Sequence, residues 1–364
     1  MRVAVGVATL ACLGVFVAVA ASLSAPPSTS PPAQTAAADA TARIVASAQA
    51  FLATLDEAGR AKVQFPFDSP QKTRWSNLPT GIFKREGLRL GDLTQAQRAA
   101  AMALLSTAFS QEGYRKVVEI MRGDEVLRGM PGGPPRGGGP GAGPGGGGAP
   151  GGGGVRFGED EYYLAFLGVP SVGAPWMLQF GGHHLGINMT LAGRQATLAP
   201  SHTAAQPASY SFEGRTVRPL GDENDRAFAL MATLDAAQRS QAILGYGVSD
   251  LVLGPGQDGR TIQPEGLRAS ALSASQQAML VDLVREWAGI ANDALAAPRM
   301  DEIRARLPET YFAWSGPTTT GSAAYFRIQG PPLVIEYAPQ RGVDHIHTIY
   351  RDPTNDYGAR FARE

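Results

Sequence analysis

The chain has 364 residues, with 32 lysines and arginines against 32 acidic residues, so its formal net charge at neutral pH is zero. That balance offers no basic field for nucleic acid and no polybasic stripe for anionic lipid, so neither partner is expected. The one cysteine, Cys12, lies in the N-terminal apolar run, which excludes thiol catalysis and a disulfide framework from the rest of the chain.

In chain order, Met1-Arg2 precedes an apolar stretch from Val3 to Ala21 with small residues at Ala18, Ala20 and Ala21. Residues 1–21 are therefore expected to be an export signal, or a membrane anchor if uncleaved, and the protein to be periplasmic or extracellular. Residues 22–41, rich in Ala, Ser, Thr and Pro, are expected to be a disordered tether, with a helix following from about Ala42 to Glu57.

Three segments, starting at Leu93-Thr94, Leu234-Asp235 and Leu272-Ser273, each place a capping residue three positions before a glutamine, at Gln97, Gln238 and Gln276. This is the capping box, which predicts a helix start at each site. Between the first and second lies the tract 129–154, mostly glycine with several prolines. It has no apolar periodicity to offset ordering, and is expected to be a flexible insertion within one domain spanning 42–364.

Two aromatic strands resemble each other, Tyr163-Leu164-Ala165-Phe166-Leu167-Gly168 and Tyr311-Phe312-Ala313-Trp314-Ser315-Gly316. Each is followed by a turn, a second strand and a third, predicting two related β-meanders. The expected fold is α+β: antiparallel meanders, duplicated, with capped helices packed on one side.

Four of the five histidines fall in two clusters, His183-His184 and His345-Ile346-His347, about 160 residues apart. Imidazole is the commonest ligand for zinc, copper, nickel and iron, so His183, His184, His345 and His347 are the candidate ligands, three of them converging. A site at the seam between the two meanders would join them. Glu336, in the apolar strand Leu333 to Tyr337, requires a partner, which a metal, an arginine or a histidine would supply. Asp352 and Asp356, if brought near the metal, would serve with Glu336 as candidate general bases; otherwise 352–358 reads as an Asx-type turn. His202 reads as an exposed loop residue. No HExxH or CxxC spacing, no Gly-x-Ser-x-Gly elbow and no phosphate-binding Gly-Lys-Ser/Thr is present.

Arg74-Trp75-Ser76-Asn77-Leu78-Pro79, Gly181-Gly182-His183-His184, Tyr311-Phe312-Ala313-Trp314 and the run His345 to Gly358 resemble, in order and spacing, the DUF3500 family of proteins of unknown function. The resemblance implies a single domain over about residues 45–360 and carries no catalytic residue. The glycine-rich insertion departs from the family pattern, as does a C-terminus that stops soon after Tyr357-Gly358. Chemistry alone therefore supports two expectations. One is an exported transition-metal enzyme, zinc-type hydrolysis being favoured over copper or iron oxidation, acting on a small-molecule or envelope substrate. The other is a non-catalytic envelope protein with a hydrogen-bonded or closed-metal histidine core.

Overall fold

The computed structural model describes residues 32–130 and 154–361. The N-terminal apolar segment and most of the glycine-rich tract lie outside the described residues. Helix α1 runs Pro32–Ala53, about ten residues earlier than the sequence suggests. Residues 32–41 are thus helix and not tether. Alanine is the strongest helix former, and Ala37, Ala40, Ile44, Ala48 and Phe51 form one buried stripe that anchors the early turns.

The chain continues through α2 (Glu57–Val63), β1 (Gln64–Phe65), β2 (Leu88–Arg89), α3 (Gln95–Ala108) and α4 (Gln111–Gly129). Then come β3 (Tyr163–Leu167), β4 (Trp176–Gly182), β5 (Leu185–Ala192), β6 (Gln195–Thr197), β7 (Ser201–Ala205), β8 (Tyr210–Phe212) and β9 (Arg215–Val217). The second half holds α5 (Gly221–Thr233), α6 (Ala236–Ala242), β10 (Leu267–Arg268), α7 (Ala274–Ala288) and α8 (Asp293–Ala305). It ends with β11 (Tyr311–Ser315), β12 (Tyr325–Gly330), β13 (Leu333–Pro339) and β14 (Ile346–Arg351). The fold is α+β, as expected. All three capping boxes form, at Thr94, Asp235 and Ser273.

One sheet runs through both halves in the order β1-β3-β4-β5-β7-β14-β13-β12-β11-β10. The halves meet where β7 pairs antiparallel with β14, Thr203 opposite Thr348. Alternation divides the sheet into two faces. One carries Leu164, Phe166, Trp176, Leu178, Ile187, Phe312, Trp314, Phe326 and Ile335, which join the helices in the main apolar core. The other carries Gln179, Asn188, His202, Arg327, Glu336, His347 and Arg351, and is covered by irregular chain. On that second face Trp75, Leu167, Met177, Ile349 and Tyr357 form a smaller cluster, and Trp75 donates to the Tyr357 hydroxyl at 2.7 Å.

The duplication extends beyond the meanders. Ala53-Thr54-Leu55-Asp56 recurs as Ala232-Thr233-Leu234-Asp235, each Asp capping a short helix. Glu86-Gly87-Leu88-Arg89 recurs as Glu265-Gly266-Leu267-Arg268. Gly87 and Gly266 hold φ of 103° and 100°, and a Cβ on either would lie 2.5 or 2.4 Å from the carbonyl oxygen of Leu164 or Phe312. Both the backbone angle and the close approach require glycine. The halves also meet in the helical layer, where Ser110 N donates to Ile290 O and Asn292 N to Ala108 O, at 3.0 and 2.9 Å. An approximate two-fold relation therefore passes through the Ser201–Tyr350 pair, and close by the Oγ1 atoms of Thr203 and Thr348 are 2.7 Å apart.

Candidate metal centre

At one end of the seam the turn between β4 and β5 meets the start of β14. Gly182 pairs with Leu185, so His183 and His184 are the whole of a two-residue hairpin turn and not strand residues with opposed side chains. His184 takes φ of 64°, a left-handed value uncommon outside glycine, Asn and Asp. With that backbone the two rings stack on each other, centroids 3.5 Å apart. The Nδ1 atoms of both point at one oxygen, Oδ1 of Asp124 on α4, at 2.9 Å (His183) and 3.2 Å (His184).

His345 precedes β14 and His347 lies on it, with ring centroids 4.6 Å apart. His345 Nε2 sits 3.0 Å from His184 Nε2. His347 turns Nδ1 toward Asp250, at 3.4 Å, and Nε2 toward Asn77 Nδ2, at 3.5 Å. One ring nitrogen each from His184, His345 and His347 lies within 4.8 Å of the others, and the same holds for ligand atoms of Asp124, His183 and His184. All four sequence candidates are brought together.

The surroundings fix which ring atoms are available. Asp124 is buried; burial would raise its carboxyl, but His183 and His184 overcome this and hold it down at about 2. As an anion it accepts from the imidazole N–H groups, which leaves the lone pair of His184 on Nε2. Its other oxygen lies 2.9 Å from the Tyr162 hydroxyl, which is also 2.7 Å from the His183 carbonyl oxygen. Burial, then the neighbouring His183, pushes His184 well below the ordinary imidazole range. Burial, followed by His347 and His183, brings His345 down to about 3. Both rings are neutral at pH 7, the form that binds metals.

A metal with M–N distances of 2.0–2.1 Å in a tetrahedral shell places neighbouring nitrogens roughly 3.3–3.4 Å apart. The 3.0 Å separation of the His184 and His345 Nε2 atoms is close to that edge. The neutral imidazoles of His184 and His345, with His347 beside them, thus fit a transition metal, and Asp124 and Asp250 orient the rings of His184 and His347.

Arg85 fastens this end of the sheet. Its Nη2 donates to the carbonyls of Ser76, Leu78 and Gly182 at 2.7, 2.6 and 2.7 Å. The loop that carries Asn77 is thereby held against the histidine turn.

The three carboxylates picked from the sequence are engaged elsewhere. Glu336 accepts from the amides of Val252 (2.6 Å) and Leu253 (2.9 Å) and lies 3.2 Å from the Tyr325 hydroxyl. It partners backbone, and not a metal, an arginine or a histidine. It also anchors the loop that brings Asp250 to His347. Asp352 makes an Asx turn to Thr354 N at 2.9 Å and pairs with Arg299 at 3.0 Å. Asp356 pairs with Arg351 at 2.8 Å. Both lie beyond the far end of β14, roughly 15 Å along the strand from His347. The carboxylates at the histidines are instead Asp124 and Asp250. Asp124 had a signal in the sequence, since it interrupts the apolar stripe Val117, Ile120, Met121, Leu127 of a helix; Asp250, in irregular chain, had none.

His202 is not an exposed loop residue. It lies on β7, fully buried, with its ring centroid 5.5 Å from that of His347. All five histidines therefore gather at the seam.

Among the described residues no helix is long and apolar enough to cross a membrane. No curated protein and no solved structure matches the chain. The model of a family described as protein of unknown function (DUF3500) matches residues 37–359, nearly the whole chain, and the protein belongs to that family.

Proposed function

We propose that the protein is an exported metal-dependent enzyme, with a single transition metal held by His184, His345 and His347. The observation that carries this reading is the paired arrangement of His184 with Asp124 and of His347 with Asp250. Asp124 sits at Nδ1 of His184 and leaves its Nε2 facing His345, while Asp250 sits at Nδ1 of His347 and holds that ring beside them. Purely structural histidines have no need of two such pairs converging on a third imidazole.

An all-imidazole shell accepts zinc, copper and iron alike. Zinc-type hydrolysis of a small-molecule or envelope substrate is favoured as the simplest chemistry for three imidazole nitrogens with a position left over. A bound zinc ion would supply Lewis acidity and a water acidic enough to ionise near neutral pH. The protein's part is then to fix three nitrogens, exclude bulk water and keep a carboxylate within reach. Asp250, whose side chain is 56% exposed beside His347, is the carboxylate able to exchange protons with solvent.

A second reading is a closed, non-catalytic metal or hydrogen-bonded histidine core. It is favoured by burial, since His184 and His347 are only 1% and 8% exposed.

Metal analysis by plasma mass spectrometry on untagged protein, beside a His345→Ala, His347→Ala double variant, tests both. About one equivalent of zinc, copper or iron, lost in the variant, supports the centre and selects the reaction class to screen. No metal in the unmodified protein, even after reconstitution, refutes it. A bound metal inert to added anions would favour the closed site.

A further inference from the structure

His202 is fully buried, yet neither ring nitrogen has a hydrogen-bond partner. Its neighbours in register are Gly186 on β5, which has no side chain, and Ile349 on β14, which is apolar. Trp75 closes the space over Gly186, where an added Cβ would lie 2.5 Å from the indole. Nothing polar on the flanking strands serves the imidazole. A buried ring with two unmet nitrogens is unfavourable by a wide margin compared with leucine in the same place, and such groups in native proteins call for an explanation.

The polar groups that His202 does face belong to the histidine cluster. His202 and His347 project from adjacent strands on the same face of the sheet, their rings edge to face. His202 borders the group of ligand nitrogens formed by His184, His345 and His347 without belonging to it.

We infer that His202 is the imidazole that hydrogen-bonds the group in the metal's open coordination position, whether water, hydroxide or the donor atom of a substrate. The inference rests on the metal reading above and adds a residue to it. A neutral imidazole has one N–H and one lone pair, so it can donate to a bound anion or accept from a bound water.

Cobalt(II) is the probe, loaded into the full-length protein and into His202→Leu and His202→Gln, with azide as the titrant. Circular dichroism and thermal melts of the metal-free proteins check that each variant folds. In His202→Leu we expect about one equivalent of cobalt still bound, a changed visible spectrum, and azide binding weaker by about tenfold, the loss of one hydrogen bond to a charged group. His202→Gln, which keeps an amide N–H, should recover part of both. An unchanged spectrum and azide affinity in His202→Leu would make His202 a core residue and overturn the inference while leaving the metal reading standing. Loss of cobalt from a folded His202→Leu protein would make it a ligand and also overturn it. If the unmodified protein takes up neither cobalt nor zinc, the metal reading falls and the inference with it.

Discussion

Mild acid should weaken the metal-free protein, and the histidines fix the amount. Burial holds His184 and His202 well below the ordinary imidazole value of 6.5 and brings His345 to about 3, so all three are neutral in the folded protein. In the unfolded chain they titrate at about 6.5. The unfolded state therefore binds more protons, and stability present above pH 6.5 is lost as pH falls below it, down to about 3 for His345. At pH 5.5 each neutral imidazole lowers stability by roughly 1.4 kcal/mol relative to pH 7.5, or about 4 kcal/mol for the three. A domain of this kind has only about 5–15 kcal/mol in total. Asp124, held at about 2, contributes stability that is lost only as pH falls below its unfolded value of 3.8, outside this window. Glu223, Glu336 and Asp356 are shifted upward by burial and oppose the loss. Differencing against His202→Leu removes their contribution. Urea unfolding of chelator-treated protein at pH 7.5 and 5.5 should show a loss smaller by about 1.4 kcal/mol in the variant, roughly 0.5 M in midpoint for an m-value near 3 kcal/mol/M. Equal losses in the two proteins would refute the claim that His202 is buried and neutral.

Two further outcomes follow from the carboxylates. Asp124→Asn removes the anion behind His184, and should weaken zinc binding by about 10- to 100-fold in chelator competition while leaving the circular dichroism spectrum unchanged. Glu336→Ala leaves the Val252 and Leu253 amides without their acceptor. It should lower stability by about 2–4 kcal/mol in urea unfolding and speed amide exchange at 250–253, because the loop bearing Asp250 loses its anchor.

The scaffold was legible because its signals are local. A capping box is read within four residues, and all three formed; the paired aromatic strands were read from composition, and both became meanders. The site was legible only in part. His183, His184, His345 and His347 stood out because a rare residue was clustered. Their conformation did not, since a two-residue turn with His184 left-handed is set by the pairing of Gly182 with Leu185 across the hairpin. Glu336, Asp352 and Asp356 were chosen for nearness in sequence to the second cluster, and strand geometry carries the two aspartates away from it. Asp124 arrives from a helix on the opposite side of the sheet, and Asp250 from irregular chain fastened by Glu336. His202 lacked any apolar alternation to mark its strand.

The duplication bears on why the centre lies where it does. A chain that repeats a four-stranded unit and joins the copies through their last strands places those strands side by side in the middle of the sheet, the most buried position available. His202 and His347 lie on those two strands and on the same face of the sheet, so both are delivered to the seam. The two-fold relation alone would create two equivalent ends. Only one carries the additional histidines: the β4–β5 turn has His183-His184, where the β12–β13 turn of the second copy has Pro331-Pro332. At that other end the Pro332 carbonyl is bound by Arg299, which also donates to the Tyr350 hydroxyl at 2.8 Å and pairs with Asp352. One end of the seam has become a cluster of imidazole nitrogens suited to a metal, and the other a set of ion pairs that holds the sheet to α8. Divergence of the two turns, more than any single residue, separates a binding end from a structural one.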